Sequence, residues 1–461
     1  MRFVLFLIIA FFFMDERAIA TPPNFVVIMT DDQTMESLPF LGQATFGLVR
    51  SGTSFHNSYV TIALCNPSRI GFLTGQYGHN NGAINNDLWT GSDASTLPVW
   101  LASRGYHTSL IGKYAWMTAR TTGYPAPGWT DWQGLLVNDY FNYQINNNGA
   151  VESYGSAASD YSTDVLASKA AAFIAAQGPS QPFFLWLTLN APHDPFTPPP
   201  RYATAFTGIN PPLDPSINEA NVSDKPSWIR TLPVLGPAGS NVYGTWIVPK
   251  FLDRMRTLLA VDDAIKIVVD ALTAAGAMSN TYIILTSDNG YMRGQHRLPY
   301  NKENAYDPSS KVPLIIVGPG VLAEKTRADL VLNIDLTATI IELAGAASGL
   351  TLDGISLVPL LGNPDAPALR NHLMTELVAG FVDAYPIPGF ANITIPAYHA
   401  VRDRRFKYIK HGTGEIELYD LNADPYELTS LHADTAFALT IADMDAILDA
   451  MKNCVGMSCL R

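Results

Sequence analysis

Residues Asn24 to Thr30 read NFVVIMT and run without a break into Asp31, Asp32 and Gln33. Side chains on a strand alternate between its two faces, so a run that is apolar at every position of 25–29 leaves neither face for water. It predicts an interior strand, covered above and below, that stops at two acids. Similar runs stand at 107–111, 183–189 (FFLWLTL), 281–286 (TYIILT) and 313–317. Helical patterns lie between them at 159–176, 250–275 and 335–344, the last just before Gly345. Within 250–275, Phe251, Met255, Leu258, Leu259 and Ile265 recur at helical spacing. Apolar strands alternating with helices predict an α/β fold, a large and mostly parallel sheet covered by helices on both faces. Ligands and chemistry collect at the carboxyl ends of such strands.

Residues 195–248 are rich in Pro, Gly, Ser and Asn and read as long surface loops. After residue 362 the texture changes. Short strand candidates at 397–401, 406–411 and 416–419 lead to a helix at 437–452, the pattern of a small antiparallel sheet with one helix. The expected organisation is a leader over 1–20, a large α/β domain over 21–362 and a C-terminal subdomain over 363–461.

The 461 residues include 29 Lys+Arg against 41 Asp+Glu, a formal charge of −12, with 48% hydrophobic residues. So apolar a chain can bury a large core, which argues against disorder, and its acidic balance argues against a nucleic-acid partner. Three cysteines cannot staple a scaffold, and the odd count leaves one unpaired. Arg2, an apolar stretch over 3–14 and the small-x-small ending Ala18, Ile19, Ala20 match a cleaved signal peptide, with Thr21 as the mature start. That stretch is shorter than the roughly 20 residues a membrane span needs, so export without a stable membrane span is expected. Asn221 and Asn392 open N-glycosylation sequons, meaningful in a eukaryotic cell.

Three places carry candidate chemistry. The strand at 281–286 runs into Ser287, Asp288, Asn289 and Gly290, so two strand ends deliver Asp31, Asp32, Asp288 and Asn289. An all-oxygen set of this kind suits calcium or magnesium; turn and N-cap preference is the plain alternative. The segment CNPSRIGFLTG (65–75) places Pro67 in a first helical turn and Arg69 one turn beyond Cys65. A helix N-terminus beside a cation suits an anion, although an incidental helix start with a buried cysteine reads equally well.

C-x-P-S-R followed by x4-T-G resembles the signature of the sulfatase family, within the alkaline phosphatase superfamily. The likeness continues, in order, through PNFVVIMTDDQ, GQYGHNNG, GKY (112–114), PGW (127–129), APHDP (191–195), SDNGYMRGQHRLPYNKE (287–303), KVPLIIVGPG (311–320) and FKYIKH…ELYDLNADPYEL (406–428). The GKY form and the ELYDL ending are most similar to the glucosamine-6-sulfatase and arylsulfatase branch. The resemblance makes 21–362 the catalytic domain and implies hydrolysis of sulfate esters of carbohydrates or aryl alcohols. It implies that Cys65 is oxidised to formylglycine by a formylglycine-generating enzyme during export, and that its hydrate joins Asp31, Asp32, Asp288 and Asn289 around a divalent cation. That cation is expected to be Ca2+, with Mg2+ as the alternative. Arg69 and Lys113 would hold the diol oxygens, Lys302 a sulfate oxygen, and His193 would protonate the leaving alkoxide. Cys454 and Cys459, five apart, would then pair and leave Cys65 alone.

One position departs from the family pattern. Many members carry His two residues after the lysine of GKW, where this chain has Ala115. His79 and His296 are the candidates for the missing base. Two rival functions remain from the sequence: a phosphodiester or phosphonate monoester hydrolase of the same superfamily, and an inactive carbohydrate-binding relative, for which Ala115 is the support. The loops 118–149 and 196–243 are expected to line the pocket mouth; their aromatics Trp129, Trp132, Tyr140, Phe141, Tyr143 and Trp228 suit stacking on sugar or aryl rings, and ordinary loop packing reads equally well.

Overall fold

The computed structural model describes residues 22–87, 89, 91–115, 124–236, 243–383 and 392–461. The expected signal peptide therefore lies outside the described residues. The principal element is a ten-stranded sheet. In chain order its strands are β1 (Asn24–Thr30), β2 (Thr53–Tyr59), β3 (His107–Gly112), β4 (Asp131–Leu135), β5 (Gln144–Asn147), β6 (Ala150–Ser153), β7 (Phe183–Thr188), β8 (Thr281–Ser287), β9 (Leu314–Val317) and β10 (Lys325–Leu332). They lie in the spatial order β10-β2-β9-β8-β1-β7-β3-β4-β5-β6. The block β8-β1-β7-β3-β4 is parallel, whereas β9 runs antiparallel to both β8 and β2, and β5 and β6 fold back antiparallel at the edge. The sheet is thus mixed and mostly parallel.

All seven residues of β1 are buried, as the NFVVIMT run requires. Val26 and Ile28 face one apolar layer, packed against the helices Gln43–Ser51, Ser162–Ala175 and Val248–Ala274. Phe25, Val27 and Met29 face the other, packed against the helices Cys65–Thr74, Leu97–Ser103 and Asn333–Ala344. One apolar strand is therefore the partition between two cores. The Val248–Ala274 helix starts two residues earlier than its apolar period suggests, because Pro249 fits the first turn, where its missing N–H costs no hydrogen bond. β2 (TSFHNSY) and β10 (KTRADLVL) were not legible: each pairs at the sheet's far side with many polar residues and no continuous apolar run.

The C-terminal sheet has the order β11-β14-β15-β16, all antiparallel, from β11 (Leu373–Leu377), β14 (Tyr398–Arg402), β15 (Phe406–His411) and β16 (Ile416–Asp420). The helix Ala438–Met451 packs on it. A separate ribbon joins β12 (Phe381–Asp383) to β13 (Ile393–Ile395). Cys454 and Cys459 are joined by a disulfide, and Cys65 is a free, buried thiol. Asn221 and Asn392 are both exposed. No helix among the described residues is long and apolar enough to cross a membrane.

Ion pairs tie the two sheets together. Asp335, in the first turn of its helix, accepts from the N–H groups of Leu332 (2.7 Å) and Ile355 (2.9 Å) and takes a two-pronged bond from Arg370, at 2.6 Å twice. Arg370 lies three residues before the start of β11, and both side chains are buried. Removing one partner strands the other charge without water, which costs about 3–5 kcal/mol. Asp335→Ala is therefore expected to lower the unfolding free energy in urea by about that amount; a loss below about 1 kcal/mol would show that the pair contributes little.

Candidate active site

Parallel pairing sets the strand ends level. Thr30 of β1 registers with Ser287 of β8, and Met29 with Thr188 of β7, which in turn registers with Gly112 of β3. The residues that follow, Asp31, Asp288 and Lys113, consequently emerge side by side. Gly112 has φ +115°, and a Cβ there would stand 1.9 Å from the Thr188 carbonyl oxygen, so only glycine lets the chain turn at this point. Neighbouring residues on a strand face opposite ways, but Asp32 has φ +69°, and that break turns it back beside Asp31. Its N–H donates to Asp288 Oδ1 at 3.1 Å. Carboxylate oxygens of Asp31, Asp32 and Asp288 lie within 4.8 Å of one another, all buried.

The Cys65–Thr74 helix points its first residue at this cluster. Cys65 Sγ lies 3.5 Å from Asp31 Oδ1 and accepts from Lys302 Nζ at 3.0 Å. Arg69, one turn on, donates through Nε to Asp288 Oδ2 and through Nη1 to the Lys113 carbonyl, both at 2.8 Å. Lys113 pairs with Asp31 and Lys302 with Asp32. The helix start is less open to an anion than the sequence suggested, because the Asn66 N–H already donates to Asn86 Oδ1 at 3.0 Å. Lys302 is aimed by its own loop: Asn301 and Glu303 on either side have positive φ, and the Glu303 N–H donates to the Ala63 carbonyl, two residues before Cys65. The C-terminal sheet braces the same loop through Tyr306 to Glu417 (2.9 Å) and Arg402 to Asp307 (3.1 Å).

His193 stands at the edge of the cluster, partly exposed, with Nε2 3.9 Å from Asp32 Oδ2. Its Nδ1 lies 2.7 Å from the Asp194 carbonyl oxygen. A carbonyl only accepts, so Nδ1 carries a proton and Nε2 is the nitrogen presented to the site. One ligand-capable atom each from Asp31, Cys65 and His193 also falls within 4.8 Å of the others.

Burial and charge act against each other here. Burial raises the Asp31 pKa, yet Lys113, His193, Arg69 and Lys302 together pull it well below the usual carboxylate range. Burial would strip Lys302 of its proton, but Asp32 raises it well above an ordinary lysine. Asp288 is lifted to about 6 by burial and by Asp31. Burial pushes the Cys65 thiol to about 12, more than Lys113 and Lys302 can offset. Near neutral pH the unmodified side chain is therefore a neutral thiol, a poor nucleophile and a poor metal ligand.

The oxygen set fits a hard divalent cation. Besides the three carboxylates, Asn289 Oδ1 is buried with no hydrogen-bond partner, while its Nδ2 donates to Asp32 Oδ1 at 2.6 Å. An orphaned amide oxygen beside clustered carboxylates is what a metal ligand looks like before the ion is counted.

Cys65, Asp32, His193 and Lys302 border a cleft of about 500 Å³. Two expectations fail at its walls. His79 donates from Nε2 to the Cys454 carbonyl (3.1 Å) and has Nδ1 2.9 Å from Glu376, and His296 is held by Glu219 (2.7 Å) against the Tyr306 ring; neither borders the cleft, so neither replaces the histidine absent at Ala115. The predicted aromatics also lie elsewhere. Trp132, Tyr140 and Tyr143 are core residues, Trp129 stacks on Phe184 and Trp186, Phe141 packs on Tyr161, and Trp228 meets His411. Part of the first loop, 116–123, lies outside the described residues. The walls are instead Phe196, Trp246, Tyr291, Tyr300 and Phe381, with Lys250. Tyr291 and Tyr300 lie in the segment 287–303 that also carries Lys302, and that nearness in sequence is the signal that marks them.

The family model described as Sulfatase matches residues 23–346, and a second, described as N-sulphoglucosamine sulphohydrolase, C-terminal, matches 294–453. The N-acetylglucosamine-6-sulfatase of Homo sapiens is 32% identical over 95% of this chain and 86% of its own length. Among solved structures, that of BT4656 in complex with its substrate D-glucosamine-2-N,6-O-disulfate superposes with a TM-score of 0.80 at 24% identity, covering 93% of this chain and 97% of the other. The phosphonate monoester hydrolase of Agrobacterium radiobacter does so with a TM-score of 0.72 at 22% identity, covering 92% and 94%. The two structures show the fold, and the matched family model together with the human relative shows the lineage: this chain belongs to the sulfatase family and is a sulfuric ester hydrolase.

Proposed function

We propose that this chain hydrolyses sulfate esters of sulfated carbohydrates, of the glucosamine 6-sulfate kind, with a formylglycine made from Cys65 as nucleophile. The observation that carries the reading is the seat of Cys65, which touches Asp31 and Lys302 at the floor of the cleft yet holds a thiol too basic to react. The human relative's name and the glucosamine disulfate held by BT4656 support the sugar class.

A divalent cation held by Asp31, Asp32, Asp288 and Asn289, Ca2+ before Mg2+, would supply Lewis-acid polarisation of the sulfate group. The protein's own groups do the rest. Oxidation of Cys65 during export, by a formylglycine-generating enzyme, gives an aldehyde that hydrates to a diol. Lys113 and Arg69 sit where they can hold the diol oxygens, and one hydroxyl attacks sulfur in line. Lys302 meets the charge that develops on a sulfate oxygen. His193, its Nδ1 proton held by the Asp194 carbonyl, delivers a proton from Nε2 to the departing sugar oxygen when the ring is cationic. The second hydroxyl then expels sulfate and restores the aldehyde. Residues 1–20 would serve as the export signal and be removed, with 21–362 as the catalytic domain and 363–461 as its C-terminal subdomain. Exposed Asn221 and Asn392 would carry glycans in a eukaryotic host.

The fold shared with the phosphonate monoester hydrolase favours one second reading, hydrolysis of phosphonate or phosphate esters at the same site. Rates on aryl sulfate and aryl phosphonate monoesters separate the two.

In protein from its native host, mass spectrometry of the tryptic peptide spanning residues 51–69 is expected to show the aldehyde or its hydrate; an intact thiol there would sink the nucleophile assignment. Stripping divalent cations with a chelator is expected to abolish sulfate release and to lower the thermal midpoint, both restored by Ca2+; full activity in chelator would dismiss the metal site. His193→Gln is expected to cost about 100- to 10,000-fold on a sugar sulfate, whose alkoxide needs a proton, and far less on nitrophenyl sulfate, whose leaving group does not. Equal losses on both would deny His193 the role of acid.

A further inference from the structure

Arg254 is a buried cation that the reaction leaves unused. It stands on the Val248–Ala274 helix and is 2% exposed. No carboxylate among the described residues lies within ion-pair distance of it, whereas the buried Arg69, Arg293 and Arg370 each have one. Its Nη2 donates to the Asp32 carbonyl at 2.5 Å, and its Nε is buried without a hydrogen-bond partner. A buried charge so sparsely matched costs stability, and an apolar side chain of similar length would fill the same space at less cost. Helix packing therefore does not account for an arginine here.

What the guanidinium holds is the turn that assembles the acids. Asp32 has φ +69°, a strained left-handed conformation that a residue with a Cβ keeps only where its surroundings fix it. The peptide that leaves Asp32 is fixed at both ends. Arg254 takes its carbonyl, and the Gln33 N–H donates to Ser287 Oγ at 2.9 Å. The guanidinium centre also lies 4.0 Å from the centre of the Tyr291 ring, a cation–π contact. Tyr291 follows Asp288, Asn289 and Gly290, so one side chain braces both strand-end segments that carry the acids.

Resting on the cation site proposed above, we propose that Arg254 is a positioning residue, which holds the Asp32 carbonyl and so keeps the Asp32 carboxylate turned toward Asp31 and Asp288 for a divalent cation. The sign of its effect makes the assignment specific. By charge alone, removing a cation from beside a cation site would tighten binding of the ion. Loss of the brace would weaken it, and this effect dominates, because Lys113, Arg69 and Lys302 still neutralise the acids while Asp32 is freed from its turn.

Calorimetric titration of the chelator-stripped, full-length protein with Ca2+ reads this without turnover. Arg254→Met keeps the length of the side chain and loses its charge and donors. It is expected to bind Ca2+ about 10- to 100-fold more weakly than the unsubstituted protein, the range for groups that orient metal ligands. Its thermal midpoint without Ca2+ is expected to stay level or rise, because a buried unpaired charge and a strained turn are both removed. Unchanged or tighter Ca2+ binding overturns the assignment, whatever the midpoint does. If Arg254→Met does not fold, Arg254→Lys takes its place; it keeps a charge but not the planar stack on Tyr291, and is expected to weaken Ca2+ binding by about 3-fold or more, with unchanged affinity overturning the assignment. If the unsubstituted protein binds neither Ca2+ nor Mg2+, the cation reading fails, and a crystal structure of the substituted protein judges Arg254 by itself. Residue 32 at negative φ, with its carboxylate turned from Asp31, supports positioning; φ kept near +69° overturns it.

Discussion

Three carboxylates gathered within 4.8 Å of one another and shielded from water are the constraint around which this molecule is organised. Such a group cannot remain ionised on its own, since each charge loses its hydration and repels the others. Lys113, Arg69 and Lys302 relieve it, and each arrives from a different part of the chain: the end of β3, the Cys65–Thr74 helix and the loop before Asp307. The parallel register of β8, β1, β7 and β3 brings Lys113 level with Asp31 and Asp288. The C-terminal sheet serves the same end, because Glu417 and Arg402 hold the segment that carries Lys302. What looks like an appendage is structurally part of the site's scaffold.

The same crowding explains why cations that already have partners can still be useful. Each lysine or arginine is held in place by an acid, and the orphaned Asn289 oxygen marks where the acids have spare capacity for a hard ion. The site is preorganised by attraction among its own groups, so a substrate sulfate meets fixed charges and little side-chain ordering remains to be done.

Much of this was legible in the residues. β1 declares itself because every position of 25–29 is apolar, and β7 and β8 do the same; the acids that follow β1 and β8 sit where strand ends must fall. β2 and β10 escaped because their burial depends on neighbours rather than on composition, and the antiparallel course of β9 leaves no mark in LIIV. In the site, the structure brings the motif residues together, but the walls come from other rings than those expected. Trp132 and Tyr143 look like ideal stacking surfaces in sequence, yet a loop's path decides whether a ring faces a cleft or the core. The two histidines offered in place of Ala115 were claimed by Glu376 and Glu219, acids that nothing in the local sequence ties to them.

All ten residues of the Cys65–Thr74 helix are buried, and Cys65 itself is 1% exposed. A cleft that admits a sugar does not admit another protein's catalytic pocket around a backbone segment. Any enzyme that oxidises Cys65 must therefore reach it while the chain is still open, so maturation and folding would run as a race with a single finish. On the formylglycine reading, a molecule that folded first would keep its thiol, bordering the cleft but beyond another enzyme's reach, and the active fraction of a preparation would record how fast the chain closed.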